Sequence, residues 1–138
     1  MKSFETHSDE ETIALGRQLA GELPKRGVVL LIGNLGAGKT TLAKGIISGL
    51  GAAEPEDVAS PTFTLIHEYN DGRLFHIDLY RLDTPQQVAT LGLDELLDRD
   101  ALVLVEWGER FPGLFPKERI EIRLQPLSES VRQITINQ

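Results

Sequence analysis

The chain has 138 residues, 41% of them hydrophobic and 25% charged, with 13 glycines. Such a chain can bury enough side chain to offset the entropy of folding, which excludes wholesale disorder. Its net charge of −7, from 21 acidic against 14 basic residues, disfavours unassisted attraction to phosphate backbones or anionic lipid, and the absence of cysteine excludes disulfide scaffolds, zinc ribbons, iron–sulfur sites and cysteine nucleophiles.

With domains of about 100–200 residues as the norm, the length fits one domain over residues 1–138. The N-terminal stretch is too acidic for a transit peptide and lacks the apolar centre of a signal peptide. The longest apolar run, residues 28–32, is far short of the roughly 20 residues of a membrane span. These features point to a soluble, cytoplasmic protein with no membrane partner.

Ser8 followed three residues later by Glu11 has the capping-box pattern, and Ile13, Gly16, Leu19, Ala20 and Leu23 recur behind it at helical spacing until Pro24. Residues 28–32 are uninterrupted and apolar, as in a strand buried on both faces of a largely parallel sheet. A glycine-rich loop leads to a helix marked by Leu42, Ile46, Ile47 and Leu50 and stopped by Gly49 and Gly51. Residues 63–69 and 74–80 read as strands joined around Asn70-Asp71-Gly72, residues that tolerate positive φ, so the sheet must be mixed. Thr84-Pro85 opens a helix carrying Leu91, Leu93, Leu96 and Leu97. Residues 102–105 form a second fully apolar strand, and residues 119–124 and 131–137 alternate in polarity, as edge or half-exposed strands do, and form an antiparallel flank. The whole predicts an α/β, P-loop NTPase-like three-layer fold with a mixed, largely parallel central sheet flanked by helices.

The chemistry concentrates in Gly33-Asn34-Leu35-Gly36-Ala37-Gly38-Lys39-Thr40, which matches G-x-x-x-x-G-K-[ST] between strand and helix. Glycines let successive backbone amides curl around phosphate oxygens, the helix N-terminus adds positive potential, Lys39 reaches the β- and γ-phosphates, and the Thr40 hydroxyl coordinates Mg²⁺. Thr41 adds a donor to the α-phosphate. Such a loop needs a carboxylate near the metal, and Glu106 supplies one at the end of the run 102–105. Being Glu rather than Asp, it either touches Mg²⁺ through water, polarises the attacking water, or only caps its strand. Asp78, an acid among bulky strand residues, either joins the magnesium shell or water-activating group or pairs with Arg81. His76 reads as a satisfied strand residue. Thr62, in Ser60-Pro61-Thr62-Phe63, stands where P-loop NTPases keep a γ-phosphate sensor, its alternative being a polar turn. Trp107, the only tryptophan, either packs at the strand end or contacts nucleotide or partner.

Absent motifs narrow the class. There is no Asn-Lys-x-Asp for guanine, Arg81 stands where a GTPase switch has glycine after its aspartate, and there is no arginine-rich lid of a nucleotide kinase. A minimal ATPase, an unusual small-molecule or nucleotide kinase, and a nucleotide-gated binding module remain.

The succession Gly33 to Thr41, then Ser60-Pro-Thr-Phe-Thr64, His76-Ile-Asp-Leu-Tyr-Arg81 and Leu104-Val-Glu-Trp107 resembles the TsaE family, formerly YjeE, over nearly the whole chain. The resemblance implies a partner-stimulated ATPase that binds ATP and Mg²⁺ and is required for threonylcarbamoyladenosine (t6A) formation at adenosine 37 of tRNA. It implies work with a TsaB–TsaD pair, which hydrolysis resets between turnovers, with tRNA met only through that complex. Carried over by motif, Lys39, Thr62, Asp78 and Glu106 form the catalytic set, residues 33–41 hold the phosphates, and Thr40 and Glu106 serve Mg²⁺. Base-binding positions fall around Ser8, Asp9 and Ser130. Gly108-Glu109-Arg110 matches no sharp motif.

Overall fold

The computed structural model describes residues 2–61 and 64–137. Its strands are β1 (Lys2–Thr6), β2 (Gly27–Ile32), β3 (Ile66–Tyr69), β4 (Leu74–Asp78), β5 (Leu102–Glu106), β6 (Ile120–Pro126) and β7 (Arg132–Asn137). Its α-helices are α1 (Asp9–Ala20), α2 (Lys39–Gly49), α3 (Pro85–Ala89) and α4 (Leu93–Leu97). The strands form one sheet in the order β1-β7-β6-β2-β5-β4-β3. Its centre, β6-β2-β5-β4, is parallel, while β3 and the pair β7 and β1 are antiparallel flanks.

The apolar runs β2 and β5 sit side by side at the centre because both of their faces can be covered there. One face, with Val29, Leu31, Leu102 and Leu104, packs on Leu15 and Leu19 of α1 and Leu42, Ile46 and Ile47 of α2. The other, with Val28, Leu30, Val103 and Val105, packs on Val88 of α3 and Leu93 and Leu96 of α4. Leu42, Ile46 and Ile47 are completely buried, each adding about 1.5–3 kcal/mol of transfer free energy. The helices α1 and α2 approach backbone to backbone: a Cβ on Gly45 would collide with the Ile13 carbonyl, and one on Gly16 would stand 2.6 Å from the Leu42 carbonyl oxygen. Among the described residues no helix is long and apolar enough to cross a membrane.

Several boundaries depart from the sequence expectations for physical reasons. The edge strand β1 was not expected, because Phe4 is its only large apolar residue and most of the strand is exposed. Of the two readings of residues 119–124, the half-exposed strand holds: β6 pairs with β2 on one side and antiparallel with β7 on the other, its alternation reflecting exposed side chains on one face. The segment after Thr84-Pro85 is two short helices, because Gly92 takes φ 75° between them. Asn70, Asp71 and Gly72 do take positive φ, at 53°, 54° and 84°, but the first hairpin strand begins only at Ile66, after Leu65 at φ 71°. Ser8 caps α1 by accepting the Glu11 amide at 3.1 Å, while the Glu11 carboxylate turns to the His7 amide at 3.0 Å instead of closing the box. Helix α1 ends at Ala20, ahead of Pro24.

Candidate functional site

Strands β2, β5 and β4 stop at one level: Leu31 is in register with Glu106, and Glu106 with Asp78. Residues in register project to the same face, so the two carboxylates emerge together at the carboxyl end of the sheet, where α/β folds place their ligand clefts. Both are buried, Asp78 at 4% and Glu106 at 3% exposure, and such groups need donors. Asp78 Oδ1 accepts the Tyr80 amide at 2.8 Å, an Asx turn that ends β4. The Leu79 amide donates to the Glu106 backbone carbonyl at 3.1 Å and ties the two strand ends together.

Between β2 and α2 the chain folds back through residues 33–38. Gly36 at φ 79° and Gly38 at φ 100° occupy left-handed positions that other residues enter at a steric cost. At Gly33 the constraint is space, since a Cβ would stand 2.7 Å from the Leu124 carbonyl oxygen. Gly38 is the N-cap of α2 and has no side chain to offer, so no capping side chain occupies the first amides of the helix. These amides form a ready anion site at this end of the helix.

Three contacts connect this loop to the strand ends. The Thr40 hydroxyl donates to both oxygens of Glu106, at 3.1 and 3.0 Å. Glu106 Oε2 lies 2.6 Å from Nε2 of His76, which is fully buried. Lys39 Nζ donates to the Gly33 carbonyl at 2.7 Å and lies 3.3 Å from the centroid of the Trp107 ring. Burial pushes the Lys39 ammonium below the usual lysine range, against the opposing pull of Glu109, Glu106 and Asp78. A desolvated cation held by a carbonyl and a ring face is suited to exchange those partners for an anionic oxygen. Trp107 adopts φ 67° directly after β5, and its ring leans on Tyr80 at 5.0 Å.

These groups line a cleft of about 450 Å³, together with Asp9, Ser60 and Arg132. A larger concavity of about 630 Å³ lies at the opposite end of the sheet, beside Gly27 and Ile120. It has none of this chemistry, so volume does not choose between them. Leu35, Gly36, Gly38, Lys39, Thr40, Thr41, Asp9, Asp78 and Glu106 all line the smaller cleft. Gly33, Asn34 and Ala37 build the loop itself, the Ala37 amide bonding the Asn34 carbonyl at 3.0 Å. Thr62 lies outside the described residues. The Ser8 hydroxyl is engaged in the helix cap, and Ser130 is exposed on the turn between β6 and β7 without lining the cleft. Arg110, from the stretch without a motif, donates to the Tyr80 carbonyl at 2.8 Å and lies 3.6 Å from Asp83.

Three cleft residues, Ser60, Arg132 and Tyr80, were not among the candidates read from the sequence. Arg132, at the start of β7, reaches the Gly36 carbonyl at 3.4 Å and the Ser128 carbonyl at 2.9 Å. In sequence it is one basic position in an alternating strand, and only the β7-β6-β2 order brings it to the loop. Tyr80, 45% exposed, had a signal in its position just past the end of β4. His76 is a buried strand residue as expected, with Nε2 engaged by Glu106, while among the described residues its Nδ1 has no hydrogen-bond partner.

Residues 6–134 match the family model described as threonylcarbamoyl adenosine biosynthesis protein TsaE. The chain is 40% identical over 134 residues to a Bacillus subtilis protein named tRNA threonylcarbamoyladenosine biosynthesis protein TsaE, covering 96% of this chain and 82% of that one. It is 44% identical over 135 residues to the protein of that name from Nostoc sp., covering 92% and 80%. Among solved structures, the crystal structure of Bacillus subtilis YdiB superposes with a TM-score of 0.77 at 36% identity, covering 98% of this chain and 83% of that one.

Proposed function

This chain belongs to the TsaE family, and on that footing we propose that it is a cytoplasmic, Mg²⁺-dependent ATPase that acts with a TsaB–TsaD pair in t6A biosynthesis on tRNA. The observation that carries the ATPase reading is the contact between the Thr40 hydroxyl and the Glu106 carboxylate beside Lys39. A phosphate loop, its lysine and a strand-end acid converge there as phosphoryl transfer requires. The donor set also fits Mg²⁺, which takes few protein oxygens and shares its remaining positions with water and substrate phosphates.

Lys39 and the amides of residues 33–41 bind the β- and γ-phosphates, with Lys39 leaving the Gly33 carbonyl to do so. Thr40 and Glu106 hold Mg²⁺, which when bound offsets charge developing on the phosphate oxygens. Asp78, fixed through Oδ1 by the Tyr80 amide, orients the attacking water, and Thr62 serves as the γ-phosphate sensor. Trp107 and Tyr80 wall the cleft and limit the water that enters. With a net charge of −7, the protein meets tRNA through its partner complex, and hydrolysis resets that complex between turnovers.

The experiment is phosphate release from ATP by the purified protein, with and without Mg²⁺ and with and without a TsaB–TsaD pair. A slow Mg²⁺-dependent rate that rises on adding the pair, with inorganic phosphate as the only new phosphorus resonance, supports the proposal. A new phosphoester resonance overturns it in favour of a kinase, and a rate indifferent to the pair overturns the partner assignment.

A further inference from the structure

The face of the sheet that packs on α1 and α2 is apolar at Leu74, Leu102 and Leu104, yet between Leu74 and Asp78 stands His76, with no exposed side-chain surface. Packing alone calls for another aliphatic side chain there, because a buried imidazole loses hydrogen bonds to water that it must replace. His76 replaces one of them: Nε2 lies 2.6 Å from Glu106 Oε2, while Nδ1 is buried with no partner among the described residues. An ionised carboxylate only accepts, so the shared hydrogen belongs to Nε2, and a bare Nδ1 leaves no stranded N–H.

Its recipient is the carboxylate on which the cleft turns. Glu106 has several side-chain torsions and stands in the field of Lys39, which draws it, Asp78 and Glu109 alike. An unrestrained Glu106 would swing towards the ammonium, neutralising the phosphate-binding lysine and leaving Thr40 without its acceptor. His76 reaches Glu106 diagonally from β4, two residue pairs below the Asp78–Glu106 register, and pins Oε2 from inside the sheet. Oε1 then stays on the Thr40 hydroxyl. Buried partners of this kind orient a metal-binding side chain without touching the metal.

We propose that His76 is a positioning residue that holds the Glu106 carboxylate on Thr40 and off Lys39, and so sets how strongly Mg²⁺ enhances nucleotide binding and turnover. This rests on the reading of Thr40 and Glu106 as the Mg²⁺-serving pair.

The test measures ATP affinity of the full chain by calorimetry, with Mg²⁺ and with chelator, in the parent, His76→Leu, His76→Gln and Glu106→Ala, together with each protein's melting temperature. His76→Leu is expected to cut the Mg²⁺ enhancement by about 10–100-fold, the usual size of such second-layer effects, with a smaller loss of metal-free affinity from the carboxylate drawn towards Lys39. His76→Gln, which restores an N–H donor, recovers most of the enhancement. In a Glu106→Ala background His76→Leu adds nothing further, since both changes act through one carboxylate. Equal enhancement in His76→Leu and the parent overturns the proposal, as does an undiminished His76→Leu effect in the Glu106→Ala background. Should His76→Leu fail to fold, His76→Gln and the shorter His76→Asn carry the test: enhancement kept by Gln and lost by Asn supports positioning, and equal behaviour of the two overturns it. Full Mg²⁺ enhancement in Glu106→Ala removes the underlying pair assignment, whereas loss in Glu106→Ala with none in His76→Leu removes the role of His76 alone.

Discussion

On one side of β4 and β5, Phe75, Ile77, Val103 and Val105 meet α3 and α4 in an apolar layer. On the other side of the same strands, Leu74, Leu102 and Leu104 share the space with His76, Asp78 and Glu106, all three buried. Burying ionisable groups opposes folding unless donors or counter-charges meet them. Here they are met: the Tyr80 amide, the Thr40 hydroxyl, the His76 ring and the charge of Lys39 converge at the end of the strands where α2 begins. One face holds the sheet together while the other, at its carboxyl end, carries the cost of chemistry. This separation leaves the strands free to bear a demanding site without weakening the layer behind them.

The separation can be broken from either side. The largest effect is expected at Lys39: Lys39→Ala removes the buried cation and weakens ATP binding by more than about 3 kcal/mol, as truncating a buried, hydrogen-bonded charge does. Calorimetric titration with ATP would show no resolvable heat, while the melting temperature stays near that of the parent. On the apolar face, Ile77→Ala deletes a fully buried side chain and should cost about 2–5 kcal/mol of stability by denaturant unfolding. The ATP affinity of the folded fraction should be unchanged, and a parallel loss of affinity would mean that the two faces are not independent. Gly45→Ala, which sets a Cβ against the Ile13 carbonyl, should cost about 1–3 kcal/mol by prising α1 from α2, visible as a lower thermal midpoint. The smallest effect is at the rim. Ser8→Ala removes the cap of α1 and should cost about 1 kcal/mol, with ATP affinity held; reduced affinity at an unchanged midpoint would return Ser8 to the base-binding role that the family resemblance implies.

What the sequence disclosed follows the range of each interaction. The loop from Gly33 to Thr40 was legible because its determinants are eight consecutive residues whose strand and helix neighbours announce themselves. Glu106 was legible as an acid closing an apolar run and Asp78 as an acid inside a strand expected to reach residue 80, but that β4 ends at Asp78 and aligns it with Glu106 depends on the β4–β5 register, which no local pattern specifies. Arg132 was invisible because its contact with Gly36 spans 96 positions and the intervening strand order. His76 was legible as a strand residue, but the partner that engages its ring, Glu106, lies 30 positions on and no local pattern names it. The edge strand β1 lacked the apolar alternation by which strands are recognised, because much of it faces water.

The most direct measurement is phosphate release under saturating Mg²⁺ and ATP, in the presence of a TsaB–TsaD pair, for the parent chain and for Glu106→Ala. Groups that stabilise charge developing in the transition state lower turnover by about 10²–10³ when removed. The expected result is a fall of that size with ATP still bound. Equal turnover in the two proteins would contradict the assignment of hydrolysis to the carboxyl end of β5.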